Sequence, residues 1–170
     1  AIGGAFLGGV SGGLGAALAG GDLGDILRGA TIGGISGAIT AGALHGIDPG
    51  SGGLFTNPGR ATLHIAGHGV VGGATNEAMG GKFQDGFYSA AVSAAAADAG
   101  LYGLISGDKP ISVAARTTAA GIVGGTASVV GGGKFSNGAF TAAFQYYLNA
   151  EFGRRFNLTG SFVKEAGTLR

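Results

Sequence analysis

The sequence predicts an all-α fold: three glycine-rich helical hairpins, about six helices in all, packed as a compact bundle. Forty of the 170 residues are Gly and 45% are hydrophobic, with only three Pro. Disordered chains are polar, charged or Pro-rich, so this composition indicates a chain that buries small residues. The phrase "GGKFQDGFYSAA" at residue 80 nearly recurs as "GGKFSNGAFTAA" at residue 132, and a weaker copy, "GGDLGDILRGAT", begins at residue 20. This repetition predicts one structural unit used three times.

Glycines that precede each phrase are predicted to pack helices against one another. These helix-packing positions are Gly9, Gly12, Gly13, Gly69, Gly72, Gly73, Gly121, Gly124 and Gly125. Each set of three is spaced i, i+3, i+4, which places its members on one face of a helix. Three interior glycines disfavour a helix by about 3 kcal/mol. We therefore expect the close approach of a neighbouring helix, as in small-xxx-small interfaces, to offset that cost.

The phrase itself predicts the elbow of a hairpin. A Gly-Gly pair ends a helix, an apolar anchor follows, and an Asp or Asn two positions later caps the next helix. In the two clearer copies the elbow residues are Gly80, Gly81, Phe83, Asp85, Gly132, Gly133, Phe135 and Asn137. Leu23 and Asp25 are the anchor and cap of the first copy.

The elements follow in order along the chain. Helices are predicted at residues 3–19, 25–44, 60–79, 85–104, 110–131 and 137–152, with one substantial loop at 45–60. They form a glycine-zipper helical hairpin domain over residues 1–152, followed by a polar basic tail at 153–170. The alternative is a Gly-rich β/α mixture, since "GIVGGTASVV" is partly β-branched. Ala-rich runs such as "SAAVSAAAADAG" are poor strands and favour helix.

Charge limits the classes of partner. The formal net charge of +1 gives no overall basic surface, so no nucleic-acid partner is expected. The first 21 residues carry no charge and approach the length of a membrane span, although they are rich in Gly and Ala. A compact soluble bundle at rest could exchange its glycine packing for lipid. Arg28, Asp98 and Arg116, charged residues inside predicted helices, are then candidates for a membrane pathway.

Two histidines are the only catalytic candidates. His64 and His68 stand at i, i+4 on one helical face, the spacing that metal sites use. The zinc-protease motif is incomplete, because Ile65 stands where Glu is required. Glu77 or Asp48 could supply a third ligand, but paired histidines are more often packing or surface residues. The sequence therefore predicts no metal and no cofactor.

Two segments carry a resemblance to a known class of proteins. "HGVVGGATNEAMGGKFQDGFYSAA" (68–91) and "GGKFSNGAFTAAFQYYLN" (132–149) resemble segments near the carboxy termini of bacterial polymorphic toxins. These include the RHS/YD-repeat proteins and the filamentous-haemagglutinin-like contact-dependent systems. The resemblance implies a secreted or injected carboxy-terminal module, sometimes cleaved from an upstream carrier polypeptide and matched to an immunity protein. We expect the chain, which begins with Ala1 rather than Met, to be a piece of such a protein.

The expected function is a membrane-active toxin module used in interbacterial competition. It would be delivered into a target bacterial cell and insert its glycine-faced hairpins into the inner membrane. One alternative is a non-toxic structural or translocation segment of the toxin carrier. A second is a nuclease that uses His64 or His68, since the family also includes nucleases and deaminases. The glycine elbows that carry the resemblance bring no catalytic residue with them, so an enzyme is the less expected outcome.

Overall fold

The computed structural model describes residues 2–18 and 20–147, with the backbone alone at positions 137, 140, 141, 144 and 145. This part of the chain contains helices and no strand. The α-helices are α1 (Ile2–Leu18), α2 (Leu23–Ile39), α3 (Gly53–Thr56), α4 (Pro58–Ala78), α5 (Phe83–Asp98), α6 (Pro110–Val130) and α7 (Phe135–Tyr146). The predicted all-α fold is confirmed, and the β/α alternative is wrong over the described residues. The predicted tail at 153–170 and the end of the sixth predicted helix lie outside them.

The long helices pair in sequence order. Hairpin 1 consists of α1 and α2, hairpin 2 of α4 and α5, and hairpin 3 of α6 and α7. Each hairpin contacts the next, α2 against α4 and α5 against α6, and α7 returns to α1. Among the described residues no large side chain is fully buried. Small residues therefore form most of the interior, and they allow the helix backbones to lie close together.

All three elbows end the first helix of the hairpin in the same way. The second glycine donates its backbone N–H to the carbonyl five residues earlier: Gly21 to Ala16 (3.0 Å), Gly81 to Asn76 (2.9 Å) and Gly133 to Ser128 (2.7 Å). The first glycine has a left-handed φ in each case: Gly20 (83°), Gly80 (91°) and Gly132 (89°). These are the features of a Schellman motif, which favours Gly because a side chain would be strained there.

The start of each following helix differs from the prediction. Asp25 and Asp85 were expected to be N-caps, but both occupy the third position of their helix, and Asn137 also lies inside α7. The caps are three residues earlier, at Asp22 for α2 and Lys82 for α5. The extended residue 82 (φ −95°, ψ 135°) lets the helix restart directly after the glycines. An acidic residue in the first turn is still favoured by the helix dipole.

Two predicted helices end earlier than expected. The helix predicted at 25–44 loses α-helical geometry after Ile39 and continues as a π-helical turn (Thr40–Leu44) and a 3₁₀ turn (His45–Ile47). The helix predicted at 85–104 stops at Asp98, because Gly100 adopts a left-handed φ of 80°. The turns and the loop that follow α2 contact α4, and this places Asp48 near His64.

Candidate functional site

Hairpin 1 is held together by glycine backbones in direct contact. Along α1 and α2, opposed glycines lie so close that a methyl group on either would overlap the carbonyl oxygen of the other or press closely against it. The opposed pairs are Gly4 with Gly37, Gly8 with Gly33, and Gly12 with Gly29. We call these six residues the glycine zipper. Its register shows two antiparallel helices that meet once per turn, at spacings that only Gly permits.

The predicted packing glycines of hairpin 1 are only partly in this zipper. Gly12 belongs to it, whereas a methyl group on Gly9 would lie 3.2 Å from the backbone oxygen of Ala30 and one on Gly13 would lie 3.2 Å from its Cβ, both tight contacts. Sequence reasoning missed the remaining five zipper residues. The signal was present, because glycines recur every four residues in α1 and again in α2, and i, i+4 positions share a helix face.

In hairpins 2 and 3 the glycines mostly face aromatic rings or alanines. Each of these hairpins has one opposed glycine pair, Gly72 with Gly86 and Gly124 with Gly138. Gly73 receives the ring of Phe83, and in hairpin 3 Gly125 likewise receives the ring of Phe135, with 2.6 Å from an added methyl group to the ring in both. Gly69 faces the ring of Phe87, whereas Gly121 faces Ala139. The predicted anchors Phe83 and Phe135 therefore pack onto predicted packing glycines.

The outer surface of hairpin 1 is apolar. Large exposed side chains follow one side of α1 at every fourth residue: Ile2, Phe6, Val10, Leu14 and Leu18. On α2 the exposed large apolar residues are Leu23, Leu27, Ile35 and Ile39. We call these nine residues the apolar exterior. The charged residues of the described hairpin 1 are confined to its elbow and the first turns of α2, at Asp22, Asp25 and Arg28.

The three charged pathway candidates lie in two separate places. Arg28 is exposed and donates from its guanidinium to the carbonyl of Ala78 at the end of α4. Arg116 is buried in α6 and donates to the carbonyls of Ile105 (2.9 Å) and Gly107 (2.8 Å). Asp98, also buried, pairs with a histidine. The structure thus brings Asp98 and Arg116 towards each other and leaves Arg28 at the elbow of hairpin 1; their pathway role stays a prediction.

His64 and Asp98 form a buried pair between α4 and α5. Nδ1 of His64 lies 3.0 Å from each carboxylate oxygen of Asp98, and the two residues are 8% and 3% exposed. Nε2 of His64 lies 3.2 Å from Nε2 of His68. Burial, together with the neighbouring His64, lowers the pKa of His68 to about 4, while Asp48 acts in the opposite direction. His68 is therefore neutral near pH 7, with one ring nitrogen able to accept a hydrogen bond.

Asp48, which directly follows the 3₁₀ turn His45–Ile47, also lies near this buried pair. One carboxylate oxygen of Asp48, one ring nitrogen of His64 and one carboxylate oxygen of Asp98 all lie within 4.8 Å of one another. Asp48 is exposed and also accepts a hydrogen bond from the backbone N–H of Gly50 (2.8 Å). We call Asp48, His64, His68 and Asp98 the histidine cluster. Glu77, the other residue that the sequence offers as a third ligand, does not lie with Asp48, His64 and Asp98.

The histidine cluster opens into a groove of about 600 Å³. His64, Asp98 and Asp48 line it, together with Tyr102 and the buried Arg116. Two of the three intrahelical charges, Asp98 and Arg116, therefore line the same groove as His64. The groove joins imidazole, carboxylate and guanidinium groups, a combination that can bind a cation or a polar ligand.

Neither a family model, nor a curated protein, nor a solved structure matches this chain. The resemblance to polymorphic toxins therefore stays an expectation from the sequence.

Proposed function

We propose that the protein is a membrane-active module whose hairpin 1 enters a lipid bilayer. The observation that carries this proposal is the inside-out packing of the hairpin, with glycines in the zipper and large apolar side chains outside. Helices of a water-soluble bundle turn their apolar stripe inward. Between lipid tails the apolar exterior is favourably placed, and small residues at the interface supply the close packing that helix pairs need there.

Burial separates the two stretches that are long and apolar enough to cross a membrane. Leu23–Ile47 (25 residues) and Pro110–Val130 (21 residues) each contain an 18-residue window with a mean hydropathy of 1.2. In the window of Pro110–Val130, 33% of the residues are buried, because α6 packs between α5 and α7. In the window of Leu23–Ile47 only 6% are buried. A smaller share of α2 than of α6 is therefore covered by the bundle, and the large apolar side chains Leu23, Leu27, Ile35 and Ile39 of α2 stay exposed.

The length and charge of hairpin 1 agree with insertion. The 17 residues of α1 span about 25 Å, slightly less than the roughly 30 Å of hydrocarbon, a mismatch that local thinning accommodates. A charged residue at the bilayer centre costs about 2.5–3.5 kcal/mol on the insertion scale. Asp22, Asp25 and Arg28 avoid that depth if the elbow lies at a membrane surface.

Delivery completes the proposal and rests on the sequence resemblance alone. The module would act on the inner membrane of a target bacterium, carried there by an upstream polypeptide and neutralised in the producing cell by an immunity protein. Dissipation of the membrane potential would be its toxic effect. A non-toxic translocation segment would use the same hairpin only to help a neighbouring effector across.

The first experiment measures release of a quenched dye from anionic liposomes by the purified chain. We expect leakage, and we expect Phe6→Glu on the apolar exterior to reduce it by about tenfold or more, as a charge at depth predicts. Ile122→Glu on α6 is the matched control, since Phe6 and Ile122 are 64% and 56% exposed and neither supports the interior. No leakage by the parent chain, or equal loss in both variants, contradicts the proposal.

Expression in bacteria separates the alternatives. A membrane-active toxin arrests growth when exported to the periplasm, and Phe6→Glu relieves the arrest. A passive segment is harmless in both the cytoplasm and the periplasm. Toxicity that disappears in His68→Ala while liposome leakage is unchanged would favour the nuclease alternative instead.

A further inference from the structure

We propose that Asp48, His64 and Asp98 bind a divalent transition-metal ion of the zinc type. This site is separate from the glycine zipper and from the apolar exterior, and it does not depend on membrane insertion. Its ligands come from three segments: the connection after the 3₁₀ turn His45–Ile47, the second turn of α4, and the last residue of α5. The fold therefore brings together donors that are far apart in the sequence.

The spacing of the donors suits a single ion. Two ligands bound to one zinc ion at about 2.0–2.2 Å can be no more than about 4.4 Å apart. The three donor atoms already lie within 4.8 Å of one another. The 3.0 Å between His64 Nδ1 and the Asp98 oxygens is also a separation that two neighbouring ligands of one ion can have. Binding would require only a small closure, chiefly of the exposed Asp48.

The donor types select the class of metal. One imidazole nitrogen and two carboxylate oxygens are ligands that zinc and its first-row neighbours accept. Magnesium prefers oxygen ligands in an octahedral arrangement and retains its waters. In the absence of metal, Nδ1–H of His64 is placed to donate to the Asp98 carboxylate. A metal ion on Nδ1 would displace that proton, and a neutral His64 ring then carries it on Nε2 instead, as the other tautomer.

His68 would position His64 rather than bind the ion. A metal-bound histidine almost always donates the N–H of its other ring nitrogen to a nearby acceptor, which fixes the tautomer and the ring orientation. Nε2 of His68 lies 3.2 Å from Nε2 of His64 and is placed to be that acceptor. The i, i+4 spacing noticed in the sequence thus has a role different from the shared ligation it first indicates.

The surroundings distinguish this group from an ordinary buried pair. His64 and Asp98 are buried in an interior made mostly of Gly and Ala, where a carboxylate requires compensation for lost hydration. Asp48, by contrast, is exposed at the groove, and the groove gives an ion a route from solvent. Three protein ligands leave a fourth position free for water, as in zinc sites that are not purely structural.

The test is zinc binding by the full chain. Calorimetric titration measures the affinity and stoichiometry, and thermal unfolding measures the change in Tm. We expect one Zn²⁺ per chain and a rise in Tm of about 5–10 °C at a free Zn²⁺ concentration 100-fold above Kd. Mg²⁺ at the same concentration should leave Tm unchanged. Asp48→Asn should weaken Zn²⁺ binding by about tenfold or more, as loss of a ligand or its support does.

Asp108→Asn is the matched control, because Asp108 is an exposed carboxylate that lines the same groove outside the histidine cluster. Both aspartates are exposed, so both variants should retain the fold. His68→Gln should lower affinity without changing the stoichiometry, whereas His64→Gln should abolish binding. No saturable Zn²⁺ binding, or equal affinity in Asp48→Asn and Asp108→Asn, overturns the proposal. Liposome leakage is measured separately, so failure of either proposal leaves the other testable.

Discussion

Hairpin 1 and hairpin 2 have the same type of turn, but different residues pack between their two helices. In both, the first helix ends in a Schellman motif with a left-handed glycine, Gly20 in hairpin 1 and Gly80 in hairpin 2. Inside hairpin 1, three glycine pairs put backbone against backbone. Inside hairpin 2 there is one such pair, Gly72 with Gly86, and the remaining space is filled by aromatic rings and by the buried His64 and Asp98.

This difference shows that the Gly-Gly pair common to the copies specifies the turn and not the packing. The packing depends on positions at which the copies differ, such as Leu23 in hairpin 1 and Phe83 in hairpin 2. Where glycine faces glycine, no large side chain fits inside, and the apolar residues of α1 and α2 lie outside. In hairpin 2 the rings of Phe83 and Phe87 pack onto Gly73 and Gly69, and His64 and Asp98 are buried farther from the elbow. One type of elbow therefore serves a hairpin with an apolar exterior and a hairpin with buried polar residues.

The largest expected effect comes from filling the zipper. Gly33→Ala should lower the free energy of unfolding by about 3 kcal/mol, the upper part of the usual overpacking range. The added methyl group would overlap the backbone carbonyl of Gly8, which cannot rotate away. Gly15→Ala is the control, because a methyl group there meets open space. It should stabilise α1 by up to about 1 kcal/mol. Urea denaturation measures both, and a similar loss in the two variants would break the comparison.

Breaking the buried pair of hairpin 2 should have the next largest effect. Asp98→Ala leaves His64 buried without its partner, at an expected cost of about 2 kcal/mol. Asp108→Ala, at an exposed position, should change the free energy of unfolding by no more than about 0.5 kcal/mol. Chemical denaturation in a chelator-free and a chelator-containing buffer checks both values. If Asp98→Ala left the free energy of unfolding unchanged, the buried pair would not stabilise hairpin 2.

The shared elbow predicts a cost that is the same in all hairpins. Gly20→Ala, Gly80→Ala and Gly132→Ala should each lower the free energy of unfolding by about 1–2 kcal/mol, because a side chain is strained at left-handed φ. Gly59→Ala in the first turn of α4 is the control, since it has open space and no left-handed φ. Thermal unfolding compares the four variants. Unequal costs among the three elbow variants would contradict a common turn.

The smallest effect is expected where a glycine faces a ring. Gly73→Ala should cost about 1 kcal/mol, the lower end of overpacking, because Phe83 is 40% exposed and its ring can move outward. Phe83→Leu should relieve part of that cost in the double variant, which a double-mutant cycle detects as coupling. No substitution offers such relief for Gly33→Ala, whose neighbour is backbone. Absence of coupling between Gly73 and Phe83 would count against this distinction.

The helical fold and the elbows could be predicted from the sequence. Gly-Gly pairs before an apolar anchor describe a local conformation, and the left-handed φ of Gly80 and Gly132 depends on the few residues around them. The N-caps were misplaced by three residues, because an Asp in the first helical turn satisfies much the same electrostatic preference as an Asp at the cap.

The two proposed functional features were harder to predict, for different reasons. The repeat does not reveal the zipper, although the glycine spacing does, because five zipper residues lie outside the glycine positions shared by the three copies: Gly4, Gly8, Gly29, Gly33 and Gly37. The histidine cluster has no local signal, since His64 and Asp98 are 34 residues apart and Asp48 lies in a loop. Their meeting depends on how the chain after α2 crosses hairpin 2, which is a tertiary property.

The central claim, that hairpin 1 enters lipid while hairpin 3 does not, can be tested by measuring the depth of single labels. The chain contains no Cys, so Phe6→Cys and Ile122→Cys each give one site for an environment-sensitive fluorophore. With anionic liposomes, we predict that the label at residue 6 shifts to the blue and is quenched by lipids that carry quenchers on their acyl chains. The label at residue 122 should keep its aqueous spectrum. An aqueous spectrum at residue 6, or the same depth at both positions, would contradict the account.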